Sequence, residues 1–525
     1  MTVNQRYENA RPILLVLVFV TVLYLLTVSN APPRSDEGTY LLLARSLANG
    51  HGYREFPLSE DPHIKYPCLY PLLAAPFQRF FPEQFFLLGI MNALITIAVA
   101  YGVFVFMRGY FSPRPAAVLT LIISSNAYTF VQHAHRLMSE ALFVLSAISA
   151  VLFVEDLVRR RSRLSLFGSI GAITAACYTR QIGAVLIIAA VAYLIYRKDL
   201  KNALLVGSLT TLLIIPWWTY VFITVYIRHI HPSFINVPTL GRLERFIPAL
   251  GAHCSAWAHW VVFPTFFSYF RFVRGESLDG PTLLGAIKQC ITGFIIVPTI
   301  LGFCIHIRKE RRFYDFFVLL YGIAILFAGH IYAYRLLYPI VPFLFYYLIV
   351  GSGRLIETIA GFFRDRSGTF RRDLAGMARI LCAGIVFCSA MIQDVHQIYW
   401  ERSGRFTRPW NAYFSAARWV KEHVPRECVV MCFKANNFYI ASQRIAVTFP
   451  FSYAEKPGFR ELMNAIRRHR AEYLVVTIPN FTQADQYPED HIFRILEDNP
   501  GNFSLQQTIT RYGAEARIYR VKSFR

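Results

Sequence analysis

Charged residues are scarce in this sequence. Only 16% of its 525 residues are Asp, Glu, Lys or Arg, whereas 55% are hydrophobic and 16% are aromatic. The mean hydropathy is +0.38, and apolar runs long enough to cross a bilayer recur along the chain. This composition is typical of a polytopic α-helical membrane protein and not of a soluble domain.

Acidic residues are less frequent than basic residues. The chain has 32 Asp and Glu against 54 Lys and Arg, which gives a formal net charge of +22. A nucleic-acid-binding protein would concentrate such charge on one face, but here the basic residues form short clusters between apolar runs. Such clusters are typical of cytoplasmic loops, and we expect no nucleic-acid partner.

Cysteine is too scattered to indicate a disulfide framework or a zinc site. Most of the nine cysteines lie inside apolar runs. The only close pair, Cys428 and Cys432, falls on one face of a strand-like run, where both are expected to be core residues. The histidines do not show the HExxH spacing of a zinc site.

Eleven apolar segments predict eleven membrane spans, and the basic clusters fall in alternate loops, as the positive-inside rule requires. Residues 164–196 are read as two crossings, because both ends are basic and one helix would be about 50 Å long. The predicted spans are 12–29, 84–107, 114–133, 137–156, 164–179, 182–196, 203–227, 284–306, 314–331, 336–352 and 377–395.

The predicted topology divides the chain into two domains. Residues 1–398 form the membrane domain, with a cytoplasmic N terminus that lacks a cleavage site and stays as an anchor. Its long outer loops are at about 30–83 and 228–283. Residues 399–525 alternate helix and strand patterns and predict a small extracytoplasmic α/β domain.

Six charged residues are predicted to lie at the outer mouths of the spans. A transporter is expected to hold its charges near mid-bilayer, at broken helices. Charges at the mouth suit a site that faces an external acceptor while reaching a lipid substrate at headgroup depth. The six residues are Asp36, Glu37, Lys65, Glu140, Arg180 and Arg335.

The order of several segments resembles the GT-C superfamily of membrane glycosyltransferases. The similar branch contains protein O-mannosyltransferases, aminoarabinose transferases of lipid A and Rgt-like sugar transferases. SDEGTYLLLARSLANGHGY places an acidic pair after the first span, and IKYPCLYPLLAAPF resembles (K)xPPLYPLL, with Cys68 replacing a proline and Tyr66 following Lys65. HRLMSEALFVLSAI, YTRQIGAVL, AYRLLYPIVPFLF and YIASQRIAV follow in the matching order.

This resemblance implies an inverting glycosyltransferase of the inner membrane. The donor would be a polyprenyl-phosphate-linked sugar, hexosyl or pentosyl, and the acceptor an envelope glycan, lipid or protein. Asp36 is then the expected general base, with Glu37 and Glu140 also in the catalytic set. Lys65, Arg335 and Arg180 are expected to bind the donor phosphate. Glu37 and Glu140 are candidates to hold a divalent cation, Mg²⁺ or Mn²⁺.

Each of these residues has a plainer interpretation. Asp36 could cap a helix that starts at Gly38, and Glu140 could simply pair with Arg136, one turn away. Lys65 and Arg335 could extend to lipid headgroups, and Arg180 could pin a tight hairpin. At the level of the whole chain, the alternatives are a transporter or lipid flippase of envelope precursors, and a non-catalytic scaffold.

Overall fold

The computed structural model describes residues 3–227, 246–262, 283–328, 333–362, 384, 386–395, 398–399, 408–451, 457–478 and 488–522. The described part of the membrane domain is helical. Its helices are α1 (Val3–Thr27), α2 (Glu37–Ala48), α3 (Leu69–Phe80), α4 (Phe85–Arg108), α5 (Pro113–Ser124), α6 (Gln132–His135), α7 (Glu140–Arg160), α8 (Arg163–Thr179), α9 (Ala184–Tyr196), α10 (Leu200–Phe222), α11 (Phe246–Ala256), α12 (Leu283–Lys309), α13 (Phe313–Ala328), α14 (Ala333–Leu337), α15 (Val341–Phe362) and α16 (Val386–Val395).

Each of the eleven predicted spans overlaps a helix. Five apolar helices in the described ranges are long enough to cross a membrane, namely Phe85–Arg108, Glu140–Arg160, Leu200–Tyr226, Gln289–Lys309 and Arg335–Ile359, and further apolar helices are shorter. Large apolar side chains are exposed on outward faces, among them Leu15 and Leu204. Water would oppose such exposure, whereas lipid favours it. The chain is a membrane protein. Most of the predicted loop 228–283 lies outside the described residues.

Residues 164–196, for which two crossings are predicted instead of one long helix, form the two helices α8 and α9, joined by a sharp turn. Gly183 lies in this turn, and a Cβ there would approach the backbone of Ala176 to 2.6 Å. The two helices can therefore approach closely only with glycine at this position.

Helix α7 connects two polar clusters at its opposite ends. Glu140 opens the helix, whereas Glu155 lies near its far end and contacts Arg312 at 3.5 Å and the N–H of Phe313 at 2.6 Å. Fifteen residues of helix separate the two glutamates by about 22 Å. The arginines that surround Glu140 and those near Glu155 therefore lie at different ends of the bundle.

A second cluster at the Glu155 end ties α12, α13 and α15 together. Asp315 is fully buried. It lies 3.0 Å from His306 Nδ1 and accepts hydrogen bonds from the Tyr347 hydroxyl at 2.5 Å and from the N–H of Arg312 at 2.7 Å. A buried carboxylate needs such partners.

The C-terminal domain is a three-layer α/β fold. Its five strands lie in the order β2-β1-β3-β5-β4, in which β1 pairs in parallel with β2 and β3, and β5 pairs antiparallel with β3 and β4. Apolar residues cover both faces of the sheet. The elements are α17 (Arg408–His423), β1 (Val429–Cys432), α18 (Ala435–Ser442), β2 (Ala446–Thr448), α19 (Phe459–His469), β3 (Ala471–Ile478), α20 (Pro488–Asp498), β4 (Phe503–Arg511) and β5 (Ala514–Val521).

The cysteine pair of this domain lies in the core, as expected. Cys428 and Cys432 are both buried and belong to the same apolar cluster, and both are free thiols.

Candidate active site

Asp36 lies at the start of α2 with its side chain directed at an arginine. It occupies the N-cap position, but its carboxylate makes no capping hydrogen bond. Asp36 Oδ2 instead lies 3.5 Å from Arg335 Nη1. The interpretation of Asp36 as a simple helix cap is therefore wrong for the side chain, and the helix begins at Glu37, one residue earlier than expected.

Glu37 is held away from Asp36 by different partners. Its side chain is 6% exposed and lies 3.8 Å from Arg136 Nε, while Oε2 accepts a hydrogen bond from the N–H of Arg34 at 3.0 Å. The two adjacent carboxylates thus belong to separate ion pairs. Glu37 thus stabilises the loop that precedes α2 through Arg34, whereas Asp36 faces the arginine cluster.

Glu140 is the buried centre of the arginine cluster. Its Oε1 accepts hydrogen bonds from Arg335 Nε at 3.1 Å and Nη2 at 2.5 Å, and it lies 2.9 Å from Arg180 Nη1. The alternative pairing of Glu140 with Arg136 is wrong, because Arg136 turns to Glu37. Charge-assisted contacts of this kind fix both guanidinium groups in one orientation.

The carboxylates differ in their access to substrate. The Asp36 side chain is 28% exposed, against 3% for Glu140. A general base must reach the proton it removes, so Asp36 meets this requirement and Glu140 does not. The buried glutamate is suited to orienting Arg180 and Arg335.

Two stacked tyrosines, Tyr40 and Tyr66, lie beside Asp36. The Tyr40 ring stacks on Tyr66 with 4.6 Å between centroids, and the Tyr40 hydroxyl lies 2.8 Å from Ser139 Oγ. Burial, followed by the negative charge of Glu140, raises the pKa of Tyr40 well above its usual value. Its hydroxyl therefore stays protonated at neutral pH. The raised pKa of Tyr66, due first to burial and then to Asp36, has the same consequence.

Lys65 borders the cluster through Tyr66. Its Nζ lies 5.0 Å from the centroid of the Tyr66 ring, a distance at which a cation is attracted to the ring face. The charges of Asp36 and Arg335 both act on Tyr66. The structure thus places all six predicted residues around one region, with Lys65 at its edge.

Two further residues, Arg136 and His133, lie in this region although the sequence pattern gave neither a role in the site. Arg136 was considered only as a partner of Glu140, and its pairing with Glu37, about a hundred positions away, carries no local signal. His133 is also buried, and its ring stacks on Tyr338 with 4.9 Å between centroids. Neither nitrogen of His133 has a hydrogen-bond partner among the described residues.

The two candidate metal ligands, Glu37 and Glu140, belong to separate ion pairs. Glu37 and Glu140 each face an arginine, and a cation would have to compete with that guanidinium. No group of three or more His, Cys, Asp or Glu residues converges in the described ranges. We therefore derive no catalytic step through a metal.

A cleft of about 880 Å³ lies elsewhere, between the C-terminal domain and the C-terminal ends of α2 and α3. It is lined by basic residues, among them Arg45, Arg418 and Arg511, and by Tyr512. None of the six predicted site residues lines it.

A family model and two crystal structures of one protein are similar to this chain. A family model described as dolichyl-phosphate-mannose-protein mannosyltransferase matches residues 65–220, which include Lys65, Glu140 and Arg180. A crystal structure of ArnT from Cupriavidus metallidurans bound to undecaprenyl phosphate is similar, with a TM-score of 0.57, 13% identity and coverage of 98% of this chain and 99% of that one. ArnT is an aminoarabinose transferase of the GT-C superfamily.

The chain has the fold of ArnT. The apo structure of the same ArnT agrees, with a TM-score of 0.54, 13% identity and coverage of 97% and 98%. No curated protein matches the chain significantly by sequence. The resemblance noted in the sequence is thereby confirmed at the level of the fold, including the small C-terminal sheet domain.

Proposed function

We propose that this chain is a membrane glycosyltransferase that uses a polyprenyl-phosphate-linked sugar. The observation that carries the proposal is the pairing of an accessible carboxylate, Asp36, with Arg335, which Glu140 holds beside Arg180. A base and a set of fixed cations are the two requirements of transfer from a glycosyl phosphate. The match to the mannosyltransferase family model and the ArnT fold supports the same chemistry.

In the proposed reaction, Asp36 accepts the proton of an acceptor hydroxyl. The hydroxyl oxygen forms a bond to the anomeric carbon, while the bond from that carbon to the phosphate oxygen breaks. The electron pair leaves with the phosphate, and configuration at carbon inverts. Asp36 is then protonated and returns its proton to solvent.

Arg335, Arg180 and Lys65 would stabilise the departing phosphate. Preoriented cations lower the barrier because they meet the developing charge without reorganising. Arg335 contacts both Asp36 and Glu140. A donor phosphate that binds Nη1 of Arg335 in place of Asp36 would free the Asp36 carboxylate for the acceptor. Donor binding and activation of the base are then coupled.

The acceptor is an envelope glycan, lipid or protein on the outer face of the inner membrane. In this proposal the N terminus is cytoplasmic and the C-terminal domain is extracytoplasmic. Support comes from the clustering of the site arginines at one end of the bundle, opposite the basic end near Glu155.

The rival interpretation, a transporter or flippase, makes a different prediction in detergent. The full-length protein is purified and mixed with lipid extract from the native host as donor source, and with envelope material from a strain lacking the protein as acceptor. A transferase attaches a sugar to that material without any membrane barrier. A transporter leaves it unmodified, and that result would exclude our proposal.

A further inference from the structure

Helix α18 of the C-terminal domain lies directly on the first turn of α2, beside Asp36. Asn437 of α18 is 1% exposed, and its Nδ2 donates a hydrogen bond to the carbonyl of Pro33 at 2.8 Å. The same side chain packs on Gly38, where an added Cβ would lie 2.7 Å from Asn437 Nδ2. Gly38 is therefore required by the close approach of the two domains.

The neighbouring Asn436 contacts a second part of the outer loop. Its Nδ2 donates to the Thr39 hydroxyl at 2.7 Å and to the carboxylate of Glu55. The other oxygen of Glu55 lies 2.8 Å from His63 Nδ1, and His63 Nε2 accepts a hydrogen bond from the N–H of Tyr66 at 3.1 Å.

These hydrogen bonds connect the C-terminal domain to the loop that carries Lys65, an expected ligand of the sugar-donor phosphate. Because His63 Nε2 accepts from Tyr66, Nδ1 carries the proton that is donated to Glu55. The remaining carboxylate oxygen of Glu55 accepts its hydrogen bond from Asn436. The peptide that joins Lys65 to Tyr66 is thereby fixed by a residue almost four hundred positions away.

The polar contacts are sealed by apolar packing. Ile440 of α18 is buried in one cluster with Leu41 and Leu42 of α2. At the far end of α18, Gln443 donates to Glu83 at 3.1 Å in an exposed contact. The contact between the C-terminal domain and the membrane domain is thus buried beside Asp36 and exposed to solvent at Gln443.

We infer that the C-terminal domain is a positioning element of the active site. Asn437 sets the backbone around Asp36 through Pro33 and Gly38, and Asn436 sets the loop that carries Lys65 through Glu55 and His63. The inference rests on the proposed transferase function. Neither asparagine touches the reacting atoms, so their role is exerted through Asp36 and Lys65.

The test combines two separate substitutions at the Asn437 contact with one compensating pair at the Asn436 contact. Gly38→Ala places a methyl group against Asn437, and Asn437→Ala removes the hydrogen bond to Pro33. Asn436→Asp sets a carboxylate against Glu55, and Glu55→Gln restores a donor to that contact while still accepting from His63. The full-length variants are expressed at matched levels in a strain lacking the protein, and the sugar-bearing product is quantified by mass spectrometry.

We expect Gly38→Ala, Asn437→Ala and Asn436→Asp each to lower product about tenfold or more, and the Asn436→Asp/Glu55→Gln double variant to recover to within about threefold of the wild type. Gln443→Asn shortens the side chain of the exposed contact that follows α18 and tolerates its left-handed backbone, with φ of 53°, so its product should stay within about twofold. Binding of undecaprenyl phosphate to the purified protein should weaken in Asn436→Asp and recover in the double variant.

Thermal unfolding of each purified variant separates misfolding from misplacement. Single variants that keep full product, or an Asn436→Asp/Glu55→Gln variant as inactive as Asn436→Asp while unfolding at the wild-type temperature, would overturn the inference. Asp36→Asn is measured in parallel. If it abolishes product while the variants at positions 38, 436 and 437 have no effect, only the positioning role fails; if it has no effect, the proposed function fails.

Discussion

Arg335 and Asp36 are paired at 3.5 Å, so the expected general base and an expected phosphate ligand lie against each other. Arg335 is also bound to Glu140 through two nitrogens. The fork geometry of a guanidinium allows it to serve both carboxylates at once, which a lysine ammonium does less well. This arrangement makes Arg335 the residue whose replacement is most informative about the donor side.

Arg335→Ala should lower product formation about 100-fold, because the leaving phosphate loses one oriented cation. Arg335→Lys should recover only a small part of this loss. The matched control is Arg354→Ala, which removes an exposed arginine paired with Glu357. Product is quantified at matched expression. Equal activity of Arg335→Lys and the wild type would contradict the role of the fork geometry.

Glu140→Gln should destabilise the protein by about 3 kcal/mol, because two partly buried guanidinium groups lose their shared counter-charge. The measurement is the thermal unfolding midpoint in detergent. Glu357→Gln, at an exposed ion pair, should change the midpoint little. A midpoint that stays unchanged in Glu140→Gln would show that the two arginines do not depend on this carboxylate.

Glu55 predicts a pH-dependent contribution to stability. Burial raises its pKa, but the hydrogen bonds from His63 and Asn436 oppose this and leave it below its usual value. A carboxylate with a depressed pKa stabilises the fold above its unfolded pKa and loses this contribution as the pH falls through the folded one. The stability advantage of the wild type over Glu55→Gln should therefore hold at neutral pH and shrink in acid. Unfolding midpoints measured from neutral to acidic pH test this, and a constant difference would refute it.

Cys428 should be unreactive in the folded protein. Burial, followed by its contact with Glu472, raises the pKa of the thiol to about 11, and the thiolate is the reactive form. Alkylation by iodoacetamide at pH 8, followed by peptide mass spectrometry, should label Cys428 only after unfolding. Rapid labelling of the native protein would place the thiol at the surface.

The membrane spans could be predicted from sequence because each depends on a local property, the length of an apolar run. The run AEYLVVTI, rich in β-branched and aromatic residues, likewise predicts a buried strand, and it coincides with Ala471–Ile478. The position of Arg136 could not be predicted in this way. Its spacing of four residues favours a pair with Glu140, yet tertiary packing brings Glu37 closer.

The sequence pattern does not reveal helix α18 and strand β2, although YIASQRIAV covers part of each. A helix of eight residues is too short for its apolar periodicity to stand out, and α18 is stabilised by docking on α2 rather than by its own propensity. The contacts of Asn436 and Asn437 with the outer loop therefore became visible only in the fold. The domain boundary near residue 399 stays a prediction, since residues 400–407 lie outside the described ranges.

The central claim is that Asp36 is the base of a sugar transfer. A strain lacking the protein is complemented with the wild type, with Asp36→Asn, or with Asp61→Asn, which alters an exposed carboxylate of the same loop, and envelope glycans, lipids and proteins are compared by mass spectrometry at matched expression. We predict that the wild type and Asp61→Asn restore one sugar increment, whereas Asp36→Asn lowers it at least about 100-fold. Full restoration by Asp36→Asn would contradict the account.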